Sequence, residues 1–389
     1  MTKTSGPRKK RIVMWLPGLS EHGGIARHNR TFCKAVAQYA HRHNVTVDVV
    51  SLTDPSGYFD PDFLTHPLTG CEGKSIKFGL CALRSLLRGF DLLVVGVVDF
   101  GPLVPAARLR NPQGRILTIT HGIEVWKPLS RGMGFALSQA SAVSAVSNYT
   151  AEQVTHLHGV KRDRIHLVPP PLDPHFLEMA TQTANSTEEP PRSRMLSISR
   201  LNKIDAPKGV ERVIEALPAL RARVPDLNYI VIGTGDDRPR IEGLAAQLGV
   251  DDITRFLGAV DDAELHQYLS GTDLFVLPSA KEGFGIVFLE AALYEKAVIA
   301  GNHGGSPEVV LDQSTGILVQ ASDVQGLVDA AAELLLDDSR RAELGRNGAE
   351  RVRSEYTYDR FAERTTLALD ALLNPNLATA TPEPVATLP

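Results

Sequence analysis

The apolar residues in the first half of the chain fall in short runs, which alternate with longer stretches of helical periodicity. Runs that are apolar throughout and bounded by polar turns are typical of strands buried on both faces of a parallel sheet. Strand followed by helix, repeated along the chain, predicts an α/β domain whose first helix covers about residues 25–43. The predicted strands of this half span residues 11–16, 45–52, 92–98, 115–120 and 142–146.

The same alternation returns after an interruption that is rich in Pro, Ser, Thr and Glu. That interruption, residues 169–194, has the composition of a linker between domains. The chain beyond it predicts a second α/β unit. Its predicted strands span 195–199, 229–232, 254–257, 274–277, 298–300 and 316–319, and its predicted helices span 209–224, 239–248 and 286–295.

Two Rossmann-like halves joined by a linker are therefore the predicted α/β architecture. A long amphipathic pattern follows the second half, and the residues after it lack periodicity, which predicts a disordered tail. The predicted limits are an N-terminal domain over 1–170, a linker over 171–194, a C-terminal domain over 195–355, a terminal helix over 356–373 and the tail over 374–389.

The composition is that of an ordinary globular protein. Hydrophobic residues make up 43% of the 389 residues and charged residues 22%, which excludes collagen-like, coiled-coil and wholly disordered chains. The longest nearly apolar run, residues 90–100, is too short to cross a bilayer, and the basic N-terminus lacks the apolar core of a secretory signal. The cysteines show no zinc-binding spacing. We therefore expect a cytoplasmic protein, with peripheral contact at the inner membrane face as an additional option.

Charge is distributed unevenly along the chain. Residues 1–170 carry 21 Lys and Arg against 11 Asp and Glu, whereas the remainder carries 20 against 34. A basic half can meet an anionic substrate or membrane, although such unevenness also arises without a function. Within it, residues 74–88 combine four cations with six large apolar side chains. This segment is compatible with a helix lying on an anionic membrane, but we expect its apolar stripe to pack on the sheet.

The most informative segment, residues 277–310, predicts strand, turn, helix, strand and turn. Glu282 precedes the turn 283–285, whose glycines let backbone amides approach a ligand where the helix begins. Glu290 follows Glu282 at an axial span of up to about 12 Å, which matches a ribose–diphosphate–sugar. One carboxylate can then hold a sugar and the other can hold ribose hydroxyls. Helix capping is the alternative role of a glutamate at this position.

Two cations accompany these carboxylates in the second half. Arg200 ends its first predicted strand, and Lys208 opens the next helix together with a glycine. Doubly wound folds bind ligands at such positions, where cations can neutralise the diphosphate of a leaving nucleotide. Lys203 competes with Lys208 for this role, because the segment that separates Arg200 from Lys208 is long.

Together these residues resemble the retaining nucleotide-sugar glycosyltransferases of family 4, which have the GT-B fold. The resemblance covers the chain from about residue 11 to residue 372. It implies two Rossmann-like domains with a cleft between them, the first binding the acceptor and the second binding the donor. The motifs that carry it are Glu282-x7-Glu290, Arg200 with Lys208-Gly209, GGSPEVV at 304–310, Gly233-Thr234-Gly235, His121-Gly122 and Gly23-Gly24-Ile25.

The resemblance implies roles for individual residues. Arg200 and Lys208 would bind the diphosphate and stabilise its departure. Glu282 and His121 would face the donor sugar, and Glu290 would hold the ribose hydroxyls. The implied catalytic residues are Glu282, His121, Arg200 and Lys208. The implied donor-binding residues are Gly24, Arg200, Lys208, Gly235, Val260, Glu282, Gly283, Phe284, Gly285, Ile286 and Glu290.

Other first-half and loop positions complete the implied site. Gly24 would let the loop after the first strand close on the diphosphate, and the base would lie near residues 258–260. Asp99 and Glu124 are the candidates for binding an acceptor hydroxyl, since each follows a predicted strand of the first half. Either residue can alternatively serve only to cap its loop.

The family transfers its sugar with retention, by front-face attack in which the leaving phosphate helps to take the acceptor proton. Arg and Lys then stabilise charge that develops on the β-phosphate, so the resemblance implies neither a cofactor nor a metal site. The pattern Asp60-Pro61-Asp62 resembles a metal motif, but it lies in a loop far from the donor motifs.

We therefore expect a retaining, metal-independent hexosyltransferase, with a UDP-sugar as first donor and a GDP-sugar as second. The acceptor would be a hydroxyl of a glycan, a lipid-linked molecule or a natural product, with polysaccharide or lipid-linked oligosaccharide assembly as the preferred context. An NAD(P)-dependent enzyme is an alternative, although the loop 18–24 lacks the regular glycine order and Asp48 lies inside its strand. A non-catalytic sugar-nucleotide-binding protein is another, which Glu282 and His121 disfavour. Nucleic-acid binding is not expected, because the basic residues are scattered.

Overall fold

A computed structural model describes residues 9–21, 23–184, 193–203 and 208–374. These residues divide into two compact units, of which the first takes residues up to 146, residues 150–169 and the residues from 359 onwards. The second unit takes residues 147–149 and 170–358. The predicted disordered tail lies, beyond Asn374, outside the described residues, as does part of the predicted linker.

A parallel sheet forms the centre of the first unit. Its strands are β1 (Arg11–Leu16), β2 (Thr46–Ser51), β3 (Thr69–Gly70), β4 (Leu92–Val95), β5 (Arg115–Thr120), β6 (Ala142–Ala145) and β7 (Ile165–Leu167). They lie in the order β3-β2-β1-β4-β5-β6-β7. The strand order therefore reverses between β1 and β4. Because both faces of the sheet are covered, β4 is buried throughout and β1 nearly so, as their unbroken apolar runs predicted.

Helices connect these strands. They are α1 (Gly24–His43), α2 (Ser75–Ser85), α3 (Val104–Arg110), α4 (Arg131–Ser138) and α5 (Asn148–His158). The strand predicted over 92–98 was too long, because a 3-10 turn over Val98–Leu103 ends it early. The short strands β3 and β7 were not predicted, since two or three residues give too little pattern to detect.

The second unit repeats the design on a six-stranded parallel sheet. Its strands are β8 (Ser193–Ile198), β9 (Tyr229–Ile232), β10 (Thr254–Gly258), β11 (Thr272–Leu277), β12 (Ala297–Gly301) and β13 (Gly316–Val319). Their order is β10-β9-β8-β11-β12-β13, so the order reverses between β8 and β11. The helices are α6 (Pro174–Ala184), α7 (Val210–Arg223), α8 (Arg238–Gln247), α9 (Asp262–Gly271), α10 (Ile286–Leu293), α11 (Ser306–Val309), α12 (Val324–Leu336) and α13 (Asp338–Glu355).

The last helix, α14 (Tyr358–Leu373), packs on the first unit although it follows the second in sequence. The hydroxyl of Tyr39 donates to the carboxylate of Asp370 at 2.8 Å, and burial together with this carboxylate raises the pKa of Tyr39. Phe361 is fully buried and meets the ring of His28 edge-on. The amphipathic pattern over these residues predicted this helix correctly.

Two further expectations from the sequence were wrong. The predicted linker contains helix α6, whose Phe176 is buried against His266 of α9 with ring centroids 4.2 Å apart. Composition did not predict this helix, because prolines flank it and it contains threonines, and such residues are typical of loops and linkers. The apolar stripe of α2 does not pack as a whole on the sheet. Phe78, with Ala82 and Leu86, faces the core, whereas Ile76, Leu80, Leu83 and Leu87 are exposed.

In the described part of the chain, no helix is both long enough and apolar enough to cross a bilayer.

Replacement of Phe176 by alanine tests the packing of α6. We expect Phe176→Ala to lower the free energy of unfolding by about 3 kcal/mol, because the lost ring leaves a cavity against His266. Glu178→Ala on the same helix is the matched control, since Glu178 is exposed, and should change stability by less than about 0.5 kcal/mol. Urea unfolding measures both, and equal stability of the two variants would contradict this packing.

Candidate active site

The candidate residues of the second unit gather where its strand order reverses. Arg200 follows β8, and Glu282 follows the neighbouring strand β11. In a parallel sheet the loops after two such strands leave in opposite directions and open a crevice at their carboxyl ends. The topology therefore brings together two residues that are far apart in the sequence.

Lys208 and Glu282 form an ion pair within this crevice. The Nζ atom of Lys208 lies 2.6 Å from Oε2 of Glu282, and the side chains are only 20% and 11% exposed. Arg200 and Lys208 line the same small cavity. Lys208, rather than Lys203, is thus the lysine placed against Glu282. The backbone N–H of Lys203 donates to the carboxylate of Asp236, and the charge of Lys203 contributes to lowering the pKa of the Asp237 carboxyl group.

The turn after Glu282 is fixed by its glycines. Gly285 has a φ of 99°, and a Cβ atom there would lie 2.3 Å from the ring of Phe288, so no other residue fits without movement. The N–H of Gly305 donates to the carbonyl of Glu282 at 2.7 Å. Phe284 is buried beside the ring of Tyr356. Helix α10 therefore starts at Ile286 from a rigid turn, as a binding site for phosphate oxygens requires.

Three further predicted donor residues, Glu290, Gly235 and Val260, also lie on the second unit. Glu290 is buried on α10, about one turn beyond the start of that helix. Gly235 lies in the loop after β9, where a Cβ would come within 2.1 Å of the carbonyl of Leu201. Val260 lies half-buried just beyond β10. Close packing of the loop ends thus explains why Gly235 is a glycine.

The first unit holds the other candidates. His121 follows β5, and its Nε2 lies 2.9 Å from the carbonyl of Gly96. Glu124 accepts a hydrogen bond from the backbone N–H of His121, so this carboxylate caps the turn that carries the histidine. Asp99 is exposed in the 3-10 turn after β4. Gly24 is exposed at the first position of α1.

One charged cluster beside the cavity was missed by the sequence analysis. The carboxylate of Asp237 lies 2.7 Å from Arg240, which also pairs with Glu211 at 2.9 Å. The hydrogen bond from Arg240 lowers the pKa of the Asp237 carboxyl group. These three residues line the cavity with Arg200 and Lys208. The position of Asp237 just after the glycine loop that follows β9 could have drawn attention to it. Its ion pairs could not be predicted, because pairs between two helices leave no periodic pattern in the sequence.

Among the described residues, no three His, Cys, Asp or Glu side chains group together as a metal-binding cluster. The Asp60-Pro61-Asp62 pattern lies in a loop of the first unit, where Asp60 accepts a hydrogen bond from the N–H of Asp62.

Known proteins resemble both halves of the chain. The family model for glycosyl transferases group 1 matches residues 181–351, and the model for glycosyltransferase family 4 matches residues 22–176. A GDP-mannose-dependent alpha-(1-6)-phosphatidylinositol monomannoside mannosyltransferase of Mycobacterium tuberculosis is 31% identical over 297 residues, which is 72% of this chain and 77% of that protein.

Solved structures share the fold. Sucrose-phosphate synthase from Thermosynechococcus elongatus matches with a TM-score of 0.73 and 22% identity, covering 96% of this chain and 100% of the other. The Anabaena protein HepE, in complex with UDP, matches with a TM-score of 0.69 and 18% identity, covering 93% and 100%.

The fold and the family matches define a nucleotide-sugar glycosyltransferase with the GT-B fold. The chain belongs to glycosyltransferase family 4. The family resemblance seen in the sequence is thus confirmed, and the nicotinamide-dependent alternative is set aside.

Substitution of Gly285 tests the geometry of the turn. We expect Gly285→Ala to lower the free energy of unfolding by about 1–3 kcal/mol, because the new methyl group meets Phe288 at a positive φ. Gly243→Ala is the matched control, since Gly243 lies inside α8 with open space around it and should gain about 0.5–1 kcal/mol. Chemical denaturation measures the free energy of unfolding of both variants. A Gly285→Ala protein as stable as the unaltered one would contradict the described turn.

Proposed function

We propose that this chain transfers a mannosyl group from GDP-mannose to a hydroxyl of a lipid-linked acceptor, with retention of configuration. The observation that carries the proposal is the contact of Lys208 with Glu282, beside Arg200. The M. tuberculosis relative is named for GDP-mannose and for a phosphatidylinositol mannoside, which supports this donor and this class of acceptor. A UDP-sugar, our first expectation, becomes the second candidate, because the UDP-bound neighbour shares only the fold.

The donor would bind along the crevice of the second unit. Arg200 and Lys208 supply positive charge for the diphosphate, and the amides of residues 284–286 supply hydrogen-bond donors at the start of α10. Glu282 would contact the sugar, and Glu290 would contact the ribose. Gly235 and Val260, at the ends of loops after β9 and β10, would border the nucleotide, with the base near residues 258–260.

The catalytic step follows from the placement of charge. As the bond between sugar and diphosphate breaks, negative charge grows on the β-phosphate oxygens, and Arg200 and Lys208 stabilise it more strongly than they stabilise the ground state. The leaving phosphate takes the proton of the attacking hydroxyl on the same face of the sugar, so configuration is retained. We propose that the two cations serve where other transferases use a divalent metal.

The second unit would act as the donor-binding domain and the first as the acceptor-binding domain. His121 would contact the donor sugar, since its ring is held by the hydrogen bond to the Gly96 carbonyl and its backbone by Glu124. Because Glu124 already caps this turn, Asp99 is the stronger candidate for binding an acceptor hydroxyl. Gly24 would close on the diphosphate.

A surface on the first unit supports a lipid-linked acceptor. Ile76, Leu80 and Leu87 are 84%, 55% and 66% exposed on and beside α2, although large apolar side chains at helical spacing are usually buried. The guanidinium of Arg110 donates to the carbonyl of Leu87 at the edge of these side chains. We name this surface the α2 surface and define it by Lys74, Ile76, Lys77, Leu80, Leu83, Arg84, Leu87, Arg88 and Arg110.

Charge on the α2 surface fits an anionic membrane. Lys74 and Lys77 each lie 2.8 Å from the carboxylate of Glu72, which keeps part of this positive charge paired. Hydrogen bonds from these two lysines lower the pKa of the Glu72 carboxyl group to about 2. Arg84 and Arg88 are exposed between the apolar residues. Apolar insertion together with basic attraction is the mode by which amphipathic helices bind membrane surfaces.

Vesicle sedimentation tests the α2 surface. We expect the protein to sediment with phosphatidylglycerol vesicles at low salt and to lose this binding when Ile76, Leu80 and Leu87 are changed to serine, because insertion needs their apolar side chains. Leu336→Ser is the control, since Leu336 is exposed on the second unit. Absence of vesicle binding by the unaltered protein, or unchanged binding by the triple variant, would refute membrane contact through this surface.

A transfer assay tests the catalytic assignment. With labelled GDP-mannose and phosphatidylinositol mannoside in vesicles, we expect Arg200→Ala and Glu282→Ala each to lower turnover about 100-fold or more, because each removes a contact to the reacting groups. Arg212→Ala is the matched control, since Arg212 pairs with Glu215 on the surface of α7. Unchanged turnover in either site variant would contradict the assignment, and nucleotide binding without any transfer would favour a non-catalytic protein.

A further inference from the structure

Asp54 is a buried carboxylate that neither the motifs nor the proposed mechanism uses. It follows β2 and lies beneath the loop that follows β1, with no exposed surface. Its Oδ2 accepts hydrogen bonds from the N–H of Leu19 at 2.9 Å and the hydroxyl of Ser51 at 2.6 Å. Its Oδ1 accepts from the N–H of Ser20 at 2.8 Å and from the hydroxyl of the same serine. Four donors thus compensate for the burial of this charge.

Other contacts fix the same stretch of the loop. The side-chain amide of Asn29 donates to the carbonyl of Gly18 at 2.9 Å, and Arg30 donates to the carbonyl of Leu19 at 2.7 Å. A Cβ on Gly18 would come within 2.2 Å of the Thr53 hydroxyl, so a larger residue there would force the threonine side chain or the loop to move. Residues 18–20 are therefore held by the segment after β2 and by α1.

The end of the loop differs from its start. Residues 21, 23 and 24 are exposed, and Gly23 has open space around it at a φ of 132°. The carbonyl of Glu21 still accepts a hydrogen bond from Arg30 at 3.3 Å, and Gly24 is the first residue of α1. The exposed residues follow a fixed stretch of chain, so they have fewer conformations than a loop that is free over its whole length. They therefore lose less conformational entropy when they bind a ligand.

We propose that Asp54 is a positioning residue of the donor reaction, which holds residues 18–20 so that the exposed end with Gly24 meets the diphosphate. This inference rests on the proposed function, in which Gly24 closes on the donor. Asp54 acts only through the loop, because both of its oxygens are occupied and buried. Dinucleotide-binding folds use an acidic residue near this strand end for ribose, whereas here the carboxylate serves the loop itself.

The substitution Asp54→Asn tests this role without changing the shape of the side chain. Each carboxylate oxygen accepts one backbone N–H, so the amide nitrogen of asparagine faces the N–H of either Leu19 or Ser20 in both of its orientations. One anchor is lost whichever way the amide turns. We expect the dissociation constant for GDP, measured by calorimetry on the full chain, to rise about tenfold or more.

Asp91→Asn is the matched control. Asp91 accepts the N–H of Arg11 at 2.8 Å at the opposite end of β1, where an asparagine oxygen can replace it. This variant should bind GDP as the unaltered protein does. Thermal unfolding of both variants separates a general loss of stability from a loss of binding. A weaker affinity in Asp54→Asn at a temperature where the protein is folded supports positioning.

Other outcomes decide against the proposal. A folded Asp54→Asn protein with unchanged GDP affinity overturns it, even if its thermal midpoint falls. If Asp54→Asn does not fold, Ser20→Ala takes its place, because it removes one donor to Oδ1 of Asp54. Weaker GDP binding by Ser20→Ala supports the positioning role, and unchanged binding overturns it. Failure of the unaltered protein to bind either GDP or UDP would instead refute the proposed donor site, and the role of Asp54 with it.

Discussion

The ion pair between Lys208 and Glu282 is the contact on which the candidate site of the second unit depends. Two opposite charges that are largely shielded from water attract each other more strongly than a surface pair, but each also loses hydration. The pair is therefore stable only because β11 and the loop before α7 place the two groups at 2.6 Å. A bound diphosphate would offer Lys208 a second anionic partner, while Glu282 keeps the lysine in place.

Close approach of loops is the structural condition for this contact. The loops after β8, β9, β11 and β12 meet at glycines, and a Cβ at Gly235 or Gly305 would overlap backbone atoms of a neighbouring loop. The first unit uses the same principle beside its first strand, where Gly18 lets the loop after β1 lie against Thr53, which follows the neighbouring strand β2. In both units a parallel sheet supplies rigid strand ends, and short loops supply the chemistry. In the first unit the buried carboxylate of Asp54 adds hydrogen bonds to the loop that packs through Gly18.

The sequence predicted those parts of the molecule that depend on local pattern. Unbroken apolar runs located β1 and β11, and amphipathic spacing located α14, because burial on a sheet or a core face leaves a regular signal. The pattern failed where a tertiary contact decides the outcome. Helix α6 is stabilised through Phe176 within a segment of linker-like composition, and half of the α2 stripe is exposed.

The same distinction holds for the site. The motifs made Glu282 and Arg200 candidates by type and spacing. Which of Lys203 and Lys208 contacts Glu282 needed coordinates, because Lys208 lies 74 positions away from Glu282 in the sequence. Asp54 and Asp237 were not found, because their partners are backbone amides and charges on other elements.

The most direct test of the central claim is a calorimetric titration of the full chain with GDP in the absence of divalent metal. The account predicts that the affinity for GDP falls at least about tenfold in Lys208→Met, because this lysine lies in the crevice and would pair with the phosphates. The affinity of Lys203→Met should equal that of the unaltered protein. Equal affinity of Lys208→Met and the unaltered protein, or a loss confined to Lys203→Met, would contradict it.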